Sequence, residues 1–223
     1  MIWFCATCPT VENGITACKW DTIIPFEPLW EQYKRVIKDN GAIVLTASQP
    51  FTSLLVCSNL QMFKYNLIWD KKKPSSALHA KIQPLRKHED ILIFAKNKTT
   101  YNPQMEEAKQ KSFKVIKYNN GEAFGGAGKA RSFDNKGLKY PKSIIEISNA
   151  NQTGRVHPTQ KPVALFEYLI KTYTNEGDLV LDNCAGSFTT AVACINTNRN
   201  YVGIEKDENY YNIANERIKK LNV

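Results

Sequence analysis

The sequence has no apolar run long enough to cross a bilayer. Its longest, AIVL at 42–45 and DILIFA at 90–95, fall far short of the ~20 residues a spanning helix needs. The opening MIWFCATC has neither a basic leader nor an apolar run of signal-peptide length, so a cytoplasmic protein is expected. Histidine is scarce, with three in 223 residues. HED at 88–90 fails as HExxH because Leu92 stands at the second histidine position, which leaves little for metal chemistry. Among the six cysteines, Cys5 and Cys8 form a CxxC, but no second pair or paired histidine follows at zinc-finger spacing. One pair is half a structural zinc site, so no metal is expected, and the thiols read as reduced. GGAGK at 125–129 misses the phosphate-loop pattern at both ends, with Ala123 for the first glycine and Ala130 for the magnesium-binding Ser or Thr. Internal repeats, low-complexity segments and a nucleophile–base–acid triad are also absent.

What is present is ordinary globular material, 43% hydrophobic and 23% charged. Thirty Lys and Arg against twenty-one Asp and Glu leave a formal charge of +9. A solvated basic surface and a polyanion partner both account for that excess, the second because each cation set on a phosphate releases a counterion.

The spacing of Leu29, Tyr33, Val36 and Ile37 predicts a helix over 28–39, ended by Asn40-Gly41. AIVLTA at 42–47 then reads as a buried strand of a parallel sheet, and a helix is predicted over 53–60. The β-rich runs 63–71 and 89–96 predict an antiparallel pair with a long basic connection. Residues 97–143, rich in Lys, Asn, Gly and Ser, have no sustained period and read as a loop region inserted in a single domain spanning 1–223. Strands at 143–148, 178–182 and 201–205 follow, interleaved with helices over 163–173, 189–196 and 208–221. Alternation at both ends of the chain predicts a three-layer α/β fold with a mostly parallel sheet covered on both faces.

DLVLDNCAGS puts Asp182 at the carboxyl end of a strand and Ala185-Gly186-Ser187 in the turn before a helix, whose free N–H groups favour an anionic group. About twenty residues on, YVGIE ends a second strand at Glu205, the placement by which a doubly wound sheet sets a carboxylate on a ribose. Strand–turn–helix units and acids at strand ends are also common without any ligand. Phe188 is the odd residue in this turn. At positive φ a bulky side chain costs roughly 1–2 kcal/mol there; at a first helical position with negative φ it costs nothing and the ring points away.

HPTQKPVALFEYLI at 157–170, GDLVLDNCAGS at 177–187 and NYVGIEKDENYYNIANERI at 200–218 resemble the S-adenosylmethionine-dependent DNA amino-methyltransferases. The likeness is to the group acting on adenine N6 or cytosine N4 in which the catalytic region precedes the cofactor region. GITACKWDTIIPFEPLWEQ, GAIVLTASQPF, YNLIWDK and HEDILIFAK resemble the same family in the same order. The resemblance implies a Rossmann-like methyltransferase fold with an antiparallel edge hairpin, S-adenosylmethionine as cofactor and double-stranded DNA as partner. It implies cofactor contacts from Thr159, Gln160, Lys161 and Pro162. It places the methionine portion at Asp182, Ala185, Gly186 and Ser187, and the ribose at Glu205. Residues 97–143 would correspond to the variable target-recognition segment. Lys71, Lys72, Lys73, Arg86, Lys87, Lys129 and Arg131 are the candidates for backbone phosphates.

Two features depart from that family. Its chemistry rests on a tetrapeptide [Asp/Asn/Ser]-Pro-Pro-aromatic just before the position of GITACKWD, where this chain reads CATCPTVEN. Thr10-Val11-Glu12-Asn13 stands there without a gap, and Thr7-Cys8-Pro9-Thr10 if a proline is kept. Both lose the leading acid or amide and the stacking ring. Second, the chain begins almost at the tetrapeptide, and its first thirteen residues are expected to be the remnant of a shortened reading frame. Phe188, at the second glycine of the family's Gly-Ser-Gly-Thr turn, adds a third. An impaired DNA amino-methyltransferase and a non-catalytic relic or DNA-binding module on the same scaffold are both compatible with these departures.

Overall fold

The computed structural model describes residues 2–5, 24–75, 80–108, 113–116, 131–134, 136–149 and 160–220. In chain order the elements are β1 (Ile2–Cys5), α1 (Phe26–Val36), β2 (Ile43–Ala47), α2 (Phe51–Ser58), β3 (Phe63–Ser75), β4 (Arg86–Phe94), β5 (Glu106–Glu107), β6 (Phe113–Ile116), β7 (Arg131–Asp134) and β8 (Leu138–Lys139). They continue with β9 (Ile144–Glu146), α3 (Val163–Tyr173), β10 (Leu179–Asp182), α4 (Thr189–Asn196), β11 (Asn200–Gly203) and α5 (Glu208–Lys219).

Seven strands form one sheet in the order β11-β10-β1-β2-β4-β3-β9. The first four are mutually parallel, β4 runs against both β2 and β3, and β9 is parallel to β3. The β3–β4 hairpin therefore lies one strand in from the sheet's end, because β9 adds along β3. All strands but β4 share one direction, so the hairpin's connection emerges at the carboxyl rim, with the ends of β1, β2, β10 and β11.

Two apolar layers sandwich the sheet. On one face α3 and α4 pack Leu165, Phe166, Leu169, Ile170, Ala193 and Cys194 on Val44, Trp69, Ile91, Ile93 and Val180. On the other, Trp30 and Tyr33 of α1 and Phe51 and Leu55 of α2 cover Ile43, Leu45, Leu92, Phe94 and Leu181. Neighbouring strand residues divide between the two layers, as the period of two requires. The first helix ends three residues before the predicted stop, because Ile37 turns extended and buries its side chain in the second layer.

The chain divides into two compact units, residues 1–102 with 143–223, and residues 103–142. The smaller unit, read from sequence as irregular, contains two antiparallel ladders, β5 with β8 and β6 with β7. Strands of two to four residues are too short to express a period. Lys139 pairs with Glu106 across the first ladder at 2.9 Å.

Candidate functional site

From β10 the chain passes through α4 to β11 on one side, and from β1 through α1 to β2 on the other. The topological switch point thus falls between β10 and β1, and ligands of open α/β sheets bind outside the carboxyl ends of the strands at such a point. The turn at 183–188 leaves β10 there.

That turn is stitched to the chain just after β11. Ile204 donates its amide to the Asp182 carbonyl at 2.8 Å, and Ala185 donates to the Ile204 carbonyl at 2.9 Å. The Gly186 amide donates to Glu205 Oε2 at 2.7 Å, and the Asp207 amide donates to Oε1 at 2.9 Å. Gly186 adopts φ 51°, a left-handed conformation that its lack of a Cβ permits. The Glu205 carboxylate and the turn after Asp182 therefore face one another.

Asp182 is almost fully buried. Thr190 Oγ1 donates to its Oδ2, and the Cys184 amide donates to Oδ1 at 3.1 Å. Burial pushes its carboxyl up to about 6, against the downward pull of those two hydrogen bonds, with Glu205 adding a smaller upward push. Ser187 is also buried, and its hydroxyl lies 3.4 Å from that of Thr189. Arg217, which sequence reasoning passed over, reaches from α5 to donate to the Ser187 carbonyl at 2.9 Å and to Thr189 Oγ1 at 3.3 Å. It lies within the stretch 200–218 that resembles the family, but its reach back to the turn depends on packing that a helical arginine does not announce.

Phe188 combines features of both sequence readings. It has φ 53° and ψ 38°, left-handed, and it caps α4. Its ring is enclosed with Ala185, Ala191, Ala214 and Ile218 and meets Tyr211 edge-on at 6.1 Å. Gly203 makes room for it, since a Cβ there would come 3.2 Å from Phe188 Cζ. Burying a phenylalanine is worth roughly 1.5–3 kcal/mol, which offsets a backbone cost of about 1–2 kcal/mol.

Of the HPTQKP positions, Thr159 lies outside the described residues, while Gln160, Lys161 and Pro162 are buried immediately before α3. Lys161 Nζ stands 3.4 Å from Glu89 Oε2 on β4, and its charge also acts on Asp182.

The cation set splits. Lys72, Lys73 and Lys87 are exposed on the β3–β4 hairpin and Arg86 is half-buried; Lys72 pairs with Glu146, and Lys87 with Asp70 at 3.0 Å. Lys71 is only 4% exposed and pairs with Glu89 Oε1 at 3.1 Å, which takes it out of the surface set read as phosphate contacts. It continues the inward face of Trp69, two residues earlier, a consequence of strand period that a run of three lysines hides. Exposed Lys81, Ile82 and Leu85 extend the same hairpin. Lys129, the side chain of Arg131, and the tetrapeptide positions 7–13 lie outside the described residues, as does Cys8 of the CxxC. Among the described residues no cluster of His, Cys, Asp and Glu could hold a metal, and no helix is long and apolar enough to cross a membrane.

A parallel-rich sheet with a carboxylate and a left-handed turn meeting at the carboxyl ends of β10 and β11 defines a doubly wound α/β protein. Within it, residues 19–216 match the N6_N4_Mtase DNA methylase family, and the chain belongs to that family. It is 31% identical over 225 residues to the DNA adenine methyltransferase YhdJ of Escherichia coli (strain K12), covering 93% of this chain and 70% of that protein. It is 34% identical over 137 residues to the type II methyltransferase M.HpaI of Haemophilus parainfluenzae, covering 59% of this chain but 38% of that protein. Among solved structures, the M1.HpyAVI–SAM complex superposes with a TM-score of 0.61 at 24% identity, covering 97% of this chain and 87% of that one. The cytosine-N4-specific PvuII DNA methyltransferase superposes with a TM-score of 0.64 at 14% identity, covering 97% and 78%. These structures share the Rossmann-like methyltransferase fold.

Proposed function

We propose that the protein binds S-adenosylmethionine at the carboxyl ends of β10 and β11, beside the switch point, and carries its methyl group to the exocyclic amine of adenine or cytosine in double-stranded DNA, in the cytoplasm. The observation that carries this reading is the meeting of the turn after Asp182, through the Gly186 amide, with Glu205 at the carboxyl ends of β10 and β11. The donor set fits the cofactor. Each Glu205 oxygen accepts one backbone amide and keeps acceptor capacity for a ribose hydroxyl. Asp182 offers a buried carboxylate to an ammonium, and Lys161 a cation to a carboxylate. When bound, S-adenosylmethionine supplies an electrophilic sulfonium methyl.

The carboxyl rim also carries the cation-bearing β3–β4 hairpin, so phosphate contacts and the crevice open at the same end of the sheet. Residues 103–142, with Lys129 and Arg131, are proposed as the target-recognition segment. Adenine is the first base to test, because YhdJ, named a DNA adenine methyltransferase, matches across 93% of the chain.

A second reading rests on CATCPTVEN, which lacks the family's polar-Pro-Pro-aromatic tetrapeptide. A missing proton acceptor lowers turnover by roughly 10²–10⁴, and a missing stacking ring removes about 1–3 kcal/mol of base binding. A relic that keeps cofactor and DNA binding follows if the loss is complete. Incubation with tritiated S-adenosylmethionine and mixed-sequence duplex DNA separates the two. Label in DNA above a no-enzyme blank excludes the relic. A blank result together with calorimetric binding of S-adenosylhomocysteine excludes the enzyme.

A further inference from the structure

Four ionisable groups of alternating sign follow one another on the α3 side of the carboxyl rim. Trp69 and Val180 both pack beneath α3, and the period of two places Lys71 and Asp182, each two residues further on, on that same side. Glu89 sits opposite Trp69 in the ladder and so shares the side, and Lys161 enters just before α3 begins. Glu89 lies between the two ammonium groups, with Lys71 Nζ 3.1 Å from Oε1 and Lys161 Nζ 3.4 Å from Oε2. Burial raises the Glu89 carboxyl, but Lys161 and Lys71 together outweigh that and hold it below the ordinary carboxylate value. It is therefore ionised at neutral pH, between one buried lysine on β3 and another just before α3.

Such a cluster is poorly explained by stability, since buried ion pairs are commonly no better than apolar packing of the same volume. Its order has a chemical meaning instead. A cation at Lys161 followed by an anion at Asp182 complements an α-amino acid zwitterion. A lysine stem has four rotatable bonds, and only a fixed partner keeps its ammonium in one place.

We propose that Glu89 is a positioning residue for amino-acid recognition: it fixes the Lys161 ammonium on the same side of the sheet as Asp182, so that the two meet the carboxylate and ammonium of the ligand's amino-acid end. This rests on the reading of the crevice as an S-adenosylmethionine site. Lys71 occupies the second oxygen of Glu89 and sets the carboxylate's orientation. The crevice then discriminates nucleosides that carry an amino acid from those that do not.

Calorimetry with S-adenosylhomocysteine and with 5′-methylthioadenosine, which lacks the amino-acid end, tests this on the full chain. Glu89→Gln is expected to weaken S-adenosylhomocysteine by roughly 10–100-fold, the worth of one charge-assisted contact, and methylthioadenosine by less than about 3-fold. Lys161→Met gives the same selective loss, Glu89→Asp recovers part of it, and the double variant is no weaker than Lys161→Met alone. Equal affinity of wild type and Glu89→Gln, or an equal loss for both ligands, overturns the proposal while leaving the crevice reading intact. Absence of S-adenosylhomocysteine binding by the wild type overturns both. If Glu89→Gln does not fold, Glu89→Asp and Lys161→Met decide, and an unchanged preference between the ligands in both refutes the role.

Discussion

Gly186 donates its amide to Glu205 Oε2 over 2.7 Å, so the turn after β10 and the chain just beyond β11 are joined through a carboxylate. The same side chain receives the Asp207 amide on its other oxygen. Glu205 therefore shapes the turn before any ligand arrives.

The first prediction concerns that link. Glu205→Gln keeps the size but loses the charge that two backbone donors share. Hydrogen bonds to charged groups are worth about 1.5–3 kcal/mol, so affinity for S-adenosylhomocysteine is expected to fall at least roughly 10-fold. Isothermal titration measures it, and an unchanged affinity would remove Glu205 from the site.

The second concerns acid–base behaviour at Asp182. Its folded carboxyl is pushed up to about 6 from 3.8, chiefly by burial. A raised value means that the folded protein holds its proton more tightly than the unfolded chain. The resulting stability is fully present below the unfolded value and is lost as pH rises through 6. Each unit is worth about 1.4 kcal/mol, so a carboxylate kept ionised at pH 7 costs the fold up to about 3 kcal/mol. Asp182→Asn is expected to be more stable than wild type at pH 7.5, with the advantage shrinking toward pH 4.5, and to bind S-adenosylhomocysteine more weakly. Urea titrations at the two pH values test the first part.

The third uses the Phe188 backbone. Removing its ring leaves a cavity, and Phe→Ala in a core costs about 3–5 kcal/mol. At φ 53° glycine escapes a penalty that alanine keeps. Phe188→Gly is therefore expected to be less destabilised than Phe188→Ala by about 1 kcal/mol, the reverse of their order inside a helix. Equal stabilities would show that the left-handed conformation is unstrained.

Gly203 supplies the fourth. An added Cβ would stand 3.2 Å from Phe188 Cζ and 3.3 Å from the Ala185 Cβ. The ring is enclosed on its other sides, so it cannot swing clear. Gly203→Ala is expected to cost about 1–3 kcal/mol by overpacking, and combining it with Phe188→Leu should cost less than the sum of the single changes. Chemical denaturation of the four proteins completes the cycle.

Much of this architecture was legible in the residues. The helix over 163–173 and the strand–turn–helix at 179–196 have strong apolar patterning, and they form where that patterning places them. The Phe188 turn was harder, because its φ depends on Gly203 and α5, both distant in sequence. Burial of Lys71 and pairing of Glu89 with Lys161 were hidden for a similar reason. Charged residues on a strand look solvated until the helix that covers them is known. The two ladders within 103–142 are too short to leave any pattern.

The last prediction concerns DNA. The β3–β4 hairpin presents exposed Lys73, Lys81 and Lys87 at the carboxyl rim, the end of the sheet that also carries the turn after Asp182. Each cation seated on a duplex phosphate steepens the fall of log affinity with log salt by about 0.9. Lys87 already pairs with Asp70, so binding must trade that contact for a phosphate, and its net contribution should be the smaller. Replacing Lys73 and Lys81 with Ala together is expected to flatten the salt slope by roughly 1–2 and to leave S-adenosylhomocysteine affinity unchanged. Fluorescence anisotropy on a labelled duplex between low and moderate salt measures the slope. If it stays the same, the hairpin does not lie on the phosphate backbone, and the DNA must be held from another face.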